Sequence, residues 1–174
     1  MFKKLCILVA FICGIDFDVI KKSIESFSGV ERRSEKIGMI NGVDVYHDYA
    51  HHPAQIEKMI GCAKELVCGK GRVITVFEPH TFSRTKYLLE DFAKSLSLAD
   101  EIVLAPVYSA RELETDGMTS IDLLYETRKY NLRTSYFKSY FEIIKYIKTI
   151  TKQGDLVLVL GAGNIEKLAK QLLE

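Results

Sequence analysis

The sequence lacks an excess of either charge, a cysteine pair at metal-binding spacing and an apolar run long enough to span a membrane. Its 174 residues carry 24 lysines and arginines against 23 aspartates and glutamates, a net charge of +1, which argues against a nucleic-acid binder. The four cysteines form no C-x-x-C pair, so we expect small buried side chains in a reducing compartment. With 48% hydrophobic and 27% charged residues, the composition is that of one globular domain and excludes disorder.

The N-terminal segment MFKKLCILVAFICG is similar to a signal peptide, because two lysines precede an apolar run. It has no A-x-A cleavage site, and it is shorter than the roughly 20 apolar residues of a membrane span. We therefore expect a buried helix, followed by a second short helix from Asp18 to Phe27. Ile20, Ile24 and Phe27 should form the apolar face of this second helix.

From residue 35 onward, the pattern predicts a hairpin and then alternating strands and helices. Asn41-Gly42 tolerates positive φ at both turn positions and lies between two extended runs. The succession favours an α/β fold whose mostly parallel sheet is covered on both faces and has an antiparallel edge strand. The predicted strands are Ile37–Ile40, Val43–His47, Arg72–Phe77, Glu101–Leu104, Thr134–Phe137 and Leu156–Leu160. The predicted helices are Pro53–Val67, Thr85–Ser97, Ser120–Tyr130, Tyr140–Thr151 and Ile165–Leu173.

Two consecutive strand ends are rich in side chains that can carry chemistry. The first is followed by HDYAHHP, residues 47–53, and the second by EPHTFSRT, residues 78–85, and all four histidines lie in these strings. Ligands of such sheets bind beyond the carboxyl ends of the strands. Arg84 suits a carboxylate and Asp48 suits an ammonium group or a ribose hydroxyl. The strings therefore predict a site for a small anionic or zwitterionic ligand together with phosphate.

Two other interpretations of these loops stay open. In the first, Asp48 and His52 only cap the following helix while Tyr49 belongs to the core. In the second, the histidines ligate the metal of a hydrolase, although a two-metal phosphoesterase needs more carboxylates than the first loop offers. The ligands of that metal would be His47, His51, His52 and His80.

The glycine-rich segments give weaker signals. Gly161-Ala162-Gly163 follows a predicted strand and opens a helix, but Glu166 stands where a dinucleotide-binding loop has its third glycine, so pyrophosphate binding is disfavoured. No G-x-x-x-x-G-K-[ST] motif is present. Arg111 lies in a long loop after a predicted strand, and we expect it to be solvated.

Together these motifs resemble a known family. The strings DYAHHP (residues 48–53) and PHTFSRT (residues 79–85), with GVERR at residues 29–33, resemble the C-terminal domain of the Mur ligases that add L-alanine to UDP-N-acetylmuramate. The resemblance extends from Gly14 to the C-terminus. The final S-R-T favours this branch over the sister ligases that recycle murein tripeptide, which share only the first string.

The resemblance implies a Rossmann-like three-layer sandwich, with a mostly parallel sheet and an antiparallel edge hairpin, for residues 29–174. Residues 1–28 would be a helical remnant of the central ATPase domain. In these cytoplasmic enzymes of peptidoglycan synthesis, ATP phosphorylates the muramoyl carboxylate with the help of Mg²⁺. The amine of L-alanine then attacks the acyl phosphate, giving an amide, ADP and phosphate.

The resemblance also implies roles for individual residues and a set of partners. The L-alanine side would be formed by His51, Arg84, Tyr49 and His80, and the nucleotide side by Arg32 and Asp48. The partners would be L-alanine, ATP, UDP-N-acetylmuramate and the N-terminal and central ligase domains, with neither nucleic acid nor membrane.

Two features separate this chain from the family pattern. His47 stands where the family usually has a second aspartate, and the chain lacks the P-loop, the Mg²⁺ ligands and the UDP-sugar domain. We therefore expect the isolated chain to be inactive as a ligase, the alternative being a stand-alone module that binds an amino acid or a nucleotide. An exposed interdomain face would make a second copy of the chain a further candidate partner.

Overall fold

The structure, a computed structural model, describes residues 2–27, 29–112 and 118–174. It contains two compact units, Met1–Glu31 and Arg32–Glu174. The loop predicted after the fourth strand lies partly outside the described residues, because it includes positions 113–117.

The first unit consists of two helices, α1 (Phe2–Ile12) and α2 (Phe17–Ser26). The prediction that α1 is buried is wrong, since Leu5, Leu8, Val9, Phe11 and Ile12 are exposed, with Ile12 at 74%. On α2 only part of the predicted apolar face is covered, because Ile20 is buried whereas Phe27 is exposed. No helix in the described part of the chain has the length and apolar character needed to cross a bilayer.

The second unit is built on one six-stranded sheet in the order β1-β2-β6-β3-β4-β5. Only the β1–β2 pair is antiparallel, and its turn residues Asn41 and Gly42 have φ of 49° and 78°, as the N-G dipeptide predicts. The mostly parallel sheet with an antiparallel edge strand is therefore confirmed. The strands are β1 (Glu35–Ile40), β2 (Val43–Asp48), β3 (Val73–Phe77), β4 (Glu101–Leu104), β5 (Thr134–Tyr136) and β6 (Leu156–Leu160).

Six helices accompany the sheet in the described residues, and one of the predicted helices is wrong. The segment expected to form a single helix from Thr85 to Ser97 begins earlier and is interrupted at Leu88, whose φ and ψ are −114° and 22°. The early start has a long-range cause, because the N–H of Ser83 donates to the Glu112 carboxylate (3.0 Å) from another loop. The helices are α3 (Pro53–Val67), α4 (Phe82–Tyr87), α5 (Leu89–Leu96), α6 (Ser120–Arg128), α7 (Tyr140–Ile150) and α8 (Ile165–Gln171).

The core has two halves, one on each face of the sheet, because successive strand residues point in opposite directions. On β3, Val73 and Phe77 pack with α3, α5 and α6, while Ile74 and Val76 pack with α7 and α8. Continuous apolar strands such as LVLVL of β6, fully buried on both faces, are typical of a covered parallel sheet. The three-layer arrangement follows directly.

The cysteines do not behave as predicted. Cys13, Cys62 and Cys68 are exposed and Cys6 is half-buried. Cys62 lies on the solvent side of α3, whose buried positions include Ile60 and Ala63. Composition indicates the average environment of a cysteine and gives no information about which face of a helix a particular one occupies.

Candidate functional site

The loop after β2 is shaped by the buried carboxylate of Asp48. This carboxylate accepts hydrogen bonds from the backbone N–H groups of Ser34 (2.7 Å) and Ala50 (2.7 Å). The predicted capping of α3 by Asp48 and His52 is wrong, because His52 makes no side-chain cap and Pro53 occupies the first turn. A proline needs no partner for a missing N–H at that position, so the helix can begin without a side-chain cap.

Four aromatic rings lie next to one another beyond the carboxyl ends of the strands. The centroid of His51 lies 5.2 Å from that of Tyr49 and 6.0 Å from that of His80. His80 in turn lies 5.5 Å from Tyr108. The Nδ1 atom of His51 is 3.0 Å from the carbonyl oxygen of Tyr49, which fixes the orientation of the His51 ring. The predicted strand ends therefore do meet at one edge of the sheet.

Arg84 is attached to this row through His80. Its Nη1 lies 3.3 Å from Nδ1 of His80, and because a guanidinium only donates, Nδ1 must accept and the proton resides on Nε2. Burial lowers the pKa of His80, and the charges of Arg84 and His51 lower it further. A neutral His80 thus orients the guanidinium at neutral pH.

Arg32 lies beside Tyr49, at the opposite end of this group of side chains from Arg84. Its Nη2 donates to the carbonyl oxygens of Gly163 (3.1 Å) and Gly161 (3.4 Å), and its guanidinium carbon lies 4.7 Å from the ring centroid of Tyr49. Its buried Nε is 3.7 Å from a carboxylate oxygen of Glu166, too far for a hydrogen bond, and has no hydrogen-bond partner among the described residues. Nε of Arg32 is therefore ion-paired with Glu166 but donates no hydrogen bond within the described residues.

The structure brings the predicted site residues into one continuous set of neighbours. Each is paired with the next, and Asp48 supports the loop that carries two of them. A guanidinium group stands at each end of this set. We call this set of five neighbouring residues the contact line; its members are Arg84, His80, His51, Tyr49 and Arg32.

Two of the four histidines lie outside the contact line. His47 is fully buried in β2, and neither ring nitrogen has a hydrogen-bond partner in the described part of the chain. Burial lowers the pKa of His47, as does the charge of Arg32, so the ring is neutral. His52 is exposed. The described residues contain no group of three or more His, Cys, Asp or Glu side chains able to hold a metal ion, and the metal-hydrolase interpretation gains no support.

The loop after β4 contributes residues that were not predicted as part of the site. Tyr108 forms a parallel bridge with His80, and Glu112 accepts from the Ser83 hydroxyl (2.5 Å) as well as from its N–H. These hydrogen bonds lower the pKa of Glu112. Arg111 is exposed, which confirms the prediction that it is solvated. The pairing of this loop with α4 depends on the sheet order, which the sequence pattern does not define.

The comparison with protein families identifies the fold that carries this site. The family model described as Mur ligase, glutamate ligase domain, matches residues 32–163. The chain belongs to the Mur ligase family. The match lies within the second structural unit, Arg32–Glu174, and the predicted resemblance is confirmed.

Individual relatives agree with this assignment. The UDP-N-acetylmuramate–L-alanine ligase of Caldicellulosiruptor saccharolyticus is 42% identical over 166 residues, which cover 95% of this Mur ligase chain and 36% of the relative. The crystal structure of the corresponding ligase from Thermotoga maritima has a TM-score of 0.78 at 24% identity, and the match covers 96% of this chain and 35% of that one.

A murein peptide ligase from Psychrobacter arcticus has a TM-score of 0.68 at 25% identity, covering 96% of this chain and 34% of that one. These likenesses confirm the Rossmann-like fold. The chain spans about a third of the length of the relatives that it matches.

Proposed function

We propose that this chain acts as the C-terminal domain of a UDP-N-acetylmuramate–L-alanine ligase, where it holds L-alanine and completes the ATP site. The observation that carries the proposal is the contact line, with a guanidinium group at each end and aromatic rings between them. Such a line suits a zwitterionic amino acid at one end and a polyphosphate at the other. The 42% identity to an enzyme of that name supports the choice of branch.

At the amino-acid end, Arg84 binds the carboxylate of L-alanine. Its guanidinium is oriented by His80 (3.3 Å), and the ring of His51 borders the same space. A two-pronged contact with the carboxylate leaves the amine of L-alanine free to face the activated muramoyl carboxyl group. The contribution of these residues to the rate is then positioning and charge stabilisation.

At the nucleotide end, Arg32 supplies positive charge for an anionic oxygen of ATP, and its Nε, which is ion-paired with Glu166 at 3.7 Å, donates no hydrogen bond in the described part of the chain. Both oxygens of Asp48 already accept backbone N–H groups, so a ribose hydroxyl would use a remaining lone pair. We assign no Mg²⁺ ligand to this chain, because the described residues hold no suitable cluster.

The helical unit Met1–Glu31 fits a segment that packs against the central ATPase domain of a cytoplasmic ligase. Its exposed apolar side chains, among them Leu5, Leu8, Phe11 and Ile12, are those expected of an interface. Residues 1–28 would then belong to the central domain, and a homodimer is the competing explanation for the same surface.

A chimaeric enzyme tests the proposal. This chain would replace the matching segment of the Caldicellulosiruptor saccharolyticus ligase, and ADP release would be followed with ATP, Mg²⁺, UDP-N-acetylmuramate and L-alanine. We expect L-alanine-dependent turnover in the chimaera and none with the isolated chain. Enzyme-like turnover by the isolated chain, or a folded chimaera that responds equally to other amino acids, would contradict the proposal.

The variant Arg84→Ala in the chimaera tests whether Arg84 binds L-alanine. Loss of the two-pronged contact should raise the apparent KM for L-alanine by about 10- to 100-fold and that for ATP by less than about twofold. Arg84→Lys, which keeps the charge and loses the fork, should be intermediate. Equal effects on the two substrates would refute the assignment of Arg84.

A further inference from the structure

A buried tyrosine–glutamate pair lies directly behind the site. Glu78 follows the last residue of β3, is only 3% exposed and accepts a short hydrogen bond on Oε1 from the hydroxyl of Tyr140, the first residue of α7. Its backbone N–H donates to the carbonyl oxygen of Leu160 (3.0 Å). Glu78 is therefore held at the carboxyl edge of the sheet, between β3 and β6.

The glycine loop after β6 packs against this carboxyl group. A Cβ atom on Gly163 would lie 2.3 Å from Oε2 of Glu78 and 2.5 Å from the ring of Tyr108, and one on Gly161 would lie 3.2 Å from Cβ of Glu78. Contacts under 3.0 Å are essentially never seen for a real Cβ. Gly163 must be a glycine because Glu78 and Tyr108 occupy the space of a side chain.

Charge connects the same carboxyl group to Arg32. The pKa of Glu78 is raised, because burial outweighs the opposing effects of the Tyr140 hydroxyl, the N–H groups of Ile165 and Asn164, and the positive charge of Arg32. Arg32 itself binds the carbonyl oxygens of the glycine loop. The loop is thus held by a guanidinium at its carbonyl groups, and Glu78 fills the space beside Gly161 and Gly163.

We infer that Glu78, held by Tyr140, is a positioning residue that fixes the Gly161–Gly163 loop and, through it, the guanidinium of Arg32 at the nucleotide end of the site. Glu78 lies two residues before His80, so the same turn also carries part of the amino-acid end. The inference rests on the proposed function, which gives Arg32 its role.

The chain offers a matched control for this pair. Tyr146, also on α7, donates to Oε1 of Glu101 (2.8 Å), and burial raises the pKa of both tyrosines. Glu101 is the first residue of β4, so this second pair lies at the opposite edge of the sheet from the glycine loop. Tyr146→Phe therefore removes an equivalent hydrogen bond without touching the site.

Hydrogen exchange on the 174-residue chain tests the positioning role directly. In Tyr140→Phe, amide exchange over residues 160–167 should be about tenfold faster than in the unchanged chain, because Glu78, which packs against this segment, loses its hydrogen bond from Tyr140. In Tyr146→Phe, exchange over that segment should stay within about twofold. Equal exchange in the two variants would overturn the inference.

Kinetics of the chimaera supply a second readout. Glu78→Gln keeps the size of the side chain but removes the carboxyl group near Arg32, and we expect the apparent KM for ATP to rise about tenfold and that for L-alanine by less than about twofold. Unchanged kinetics, or equal effects on both substrates, would overturn the inference. If the chimaera without the Glu78→Gln substitution is inactive, the result contradicts the proposed function instead. Hydrogen exchange would then decide the role of Glu78.

Discussion

Asp155 shows how one residue can secure the edge of the sheet opposite the site. Its carboxylate pairs with the guanidinium of Arg72 at 2.7 Å and accepts the backbone N–H groups of Arg72 (2.9 Å) and Lys152 (3.0 Å). Burial alone would raise the pKa of Asp155, but these three partners lower it below its ordinary value. The ionised carboxylate thus stabilises the folded state.

We predict that Asp155→Asn lowers the free energy of unfolding by about 2 kcal/mol at pH 7. Because the pKa is lower in the folded than in the unfolded chain, the stabilisation is complete above about pH 4 and is lost as the pH falls through the folded-state pKa. Urea unfolding at pH 7 and below pH 4 measures both effects. Asp44→Asn, which breaks the exposed pair with Lys36, should cost less than about 0.5 kcal/mol. A cost for Asp155→Asn that does not vary with pH would contradict the prediction.

At the scale of the elements, the same substitution should have opposite effects in a helix and in the glycine loop. Gly61 lies within α3, and a Cβ there would meet nothing within 4 Å, so Gly61→Ala should stabilise the fold by about 0.5 to 1 kcal/mol. Gly163→Ala would force a Cβ against Glu78 and Tyr108, and should cost about 1 to 3 kcal/mol. Urea unfolding of the two variants measures both changes in the free energy of unfolding. If Gly163→Ala leaves this free energy unchanged, the loop can shift away from Glu78 and the prediction is wrong.

The strands were predictable because local pattern defines them. The run LVLVL is buried on both faces, and the N-G turn fixes the hairpin. The break at Leu88 and the early start of α4 were not predictable, because α4 begins where Glu112 reaches Ser83 from a distant loop. Local periodicity carries no information about such a contact.

The candidate site was predictable where residues of one type follow consecutive strands. His51, His80 and Arg84 were found in this way, and the structure places them together. His47 looked equivalent in the sequence, yet it belongs to β2 and is buried. Glu78 and Tyr140 were missed because they lie 62 positions apart, and only the packing of α7 on the sheet brings them together.

At the scale of the whole chain, the buried core lies almost entirely in one unit. Every buried apolar residue in the described part of the chain except Ile20 belongs to Arg32–Glu174. The helical unit Met1–Glu31 instead exposes several large apolar side chains, with Phe11 at 63% and Ile12 at 74%. The free energy of unfolding should therefore depend on Arg32–Glu174, and self-association should depend on the helical unit Met1–Glu31.

We predict that a shortened chain of residues 29–174 unfolds with the same free energy as the full chain to within about 1 kcal/mol, because removing residues 1–28 leaves the two halves of the core intact. Sedimentation should show concentration-dependent association for the full chain and a monomer for the shortened one, because exposed apolar helix surface promotes self-association. The full-length double variant Phe11→Ser with Ile12→Ser is the control, and it should behave as a monomer while keeping both helices. If shortening lowers the free energy of unfolding by more than about 3 kcal/mol, the two helices contribute to the core. That result would contradict the proposal that they form an interface with the central ligase domain.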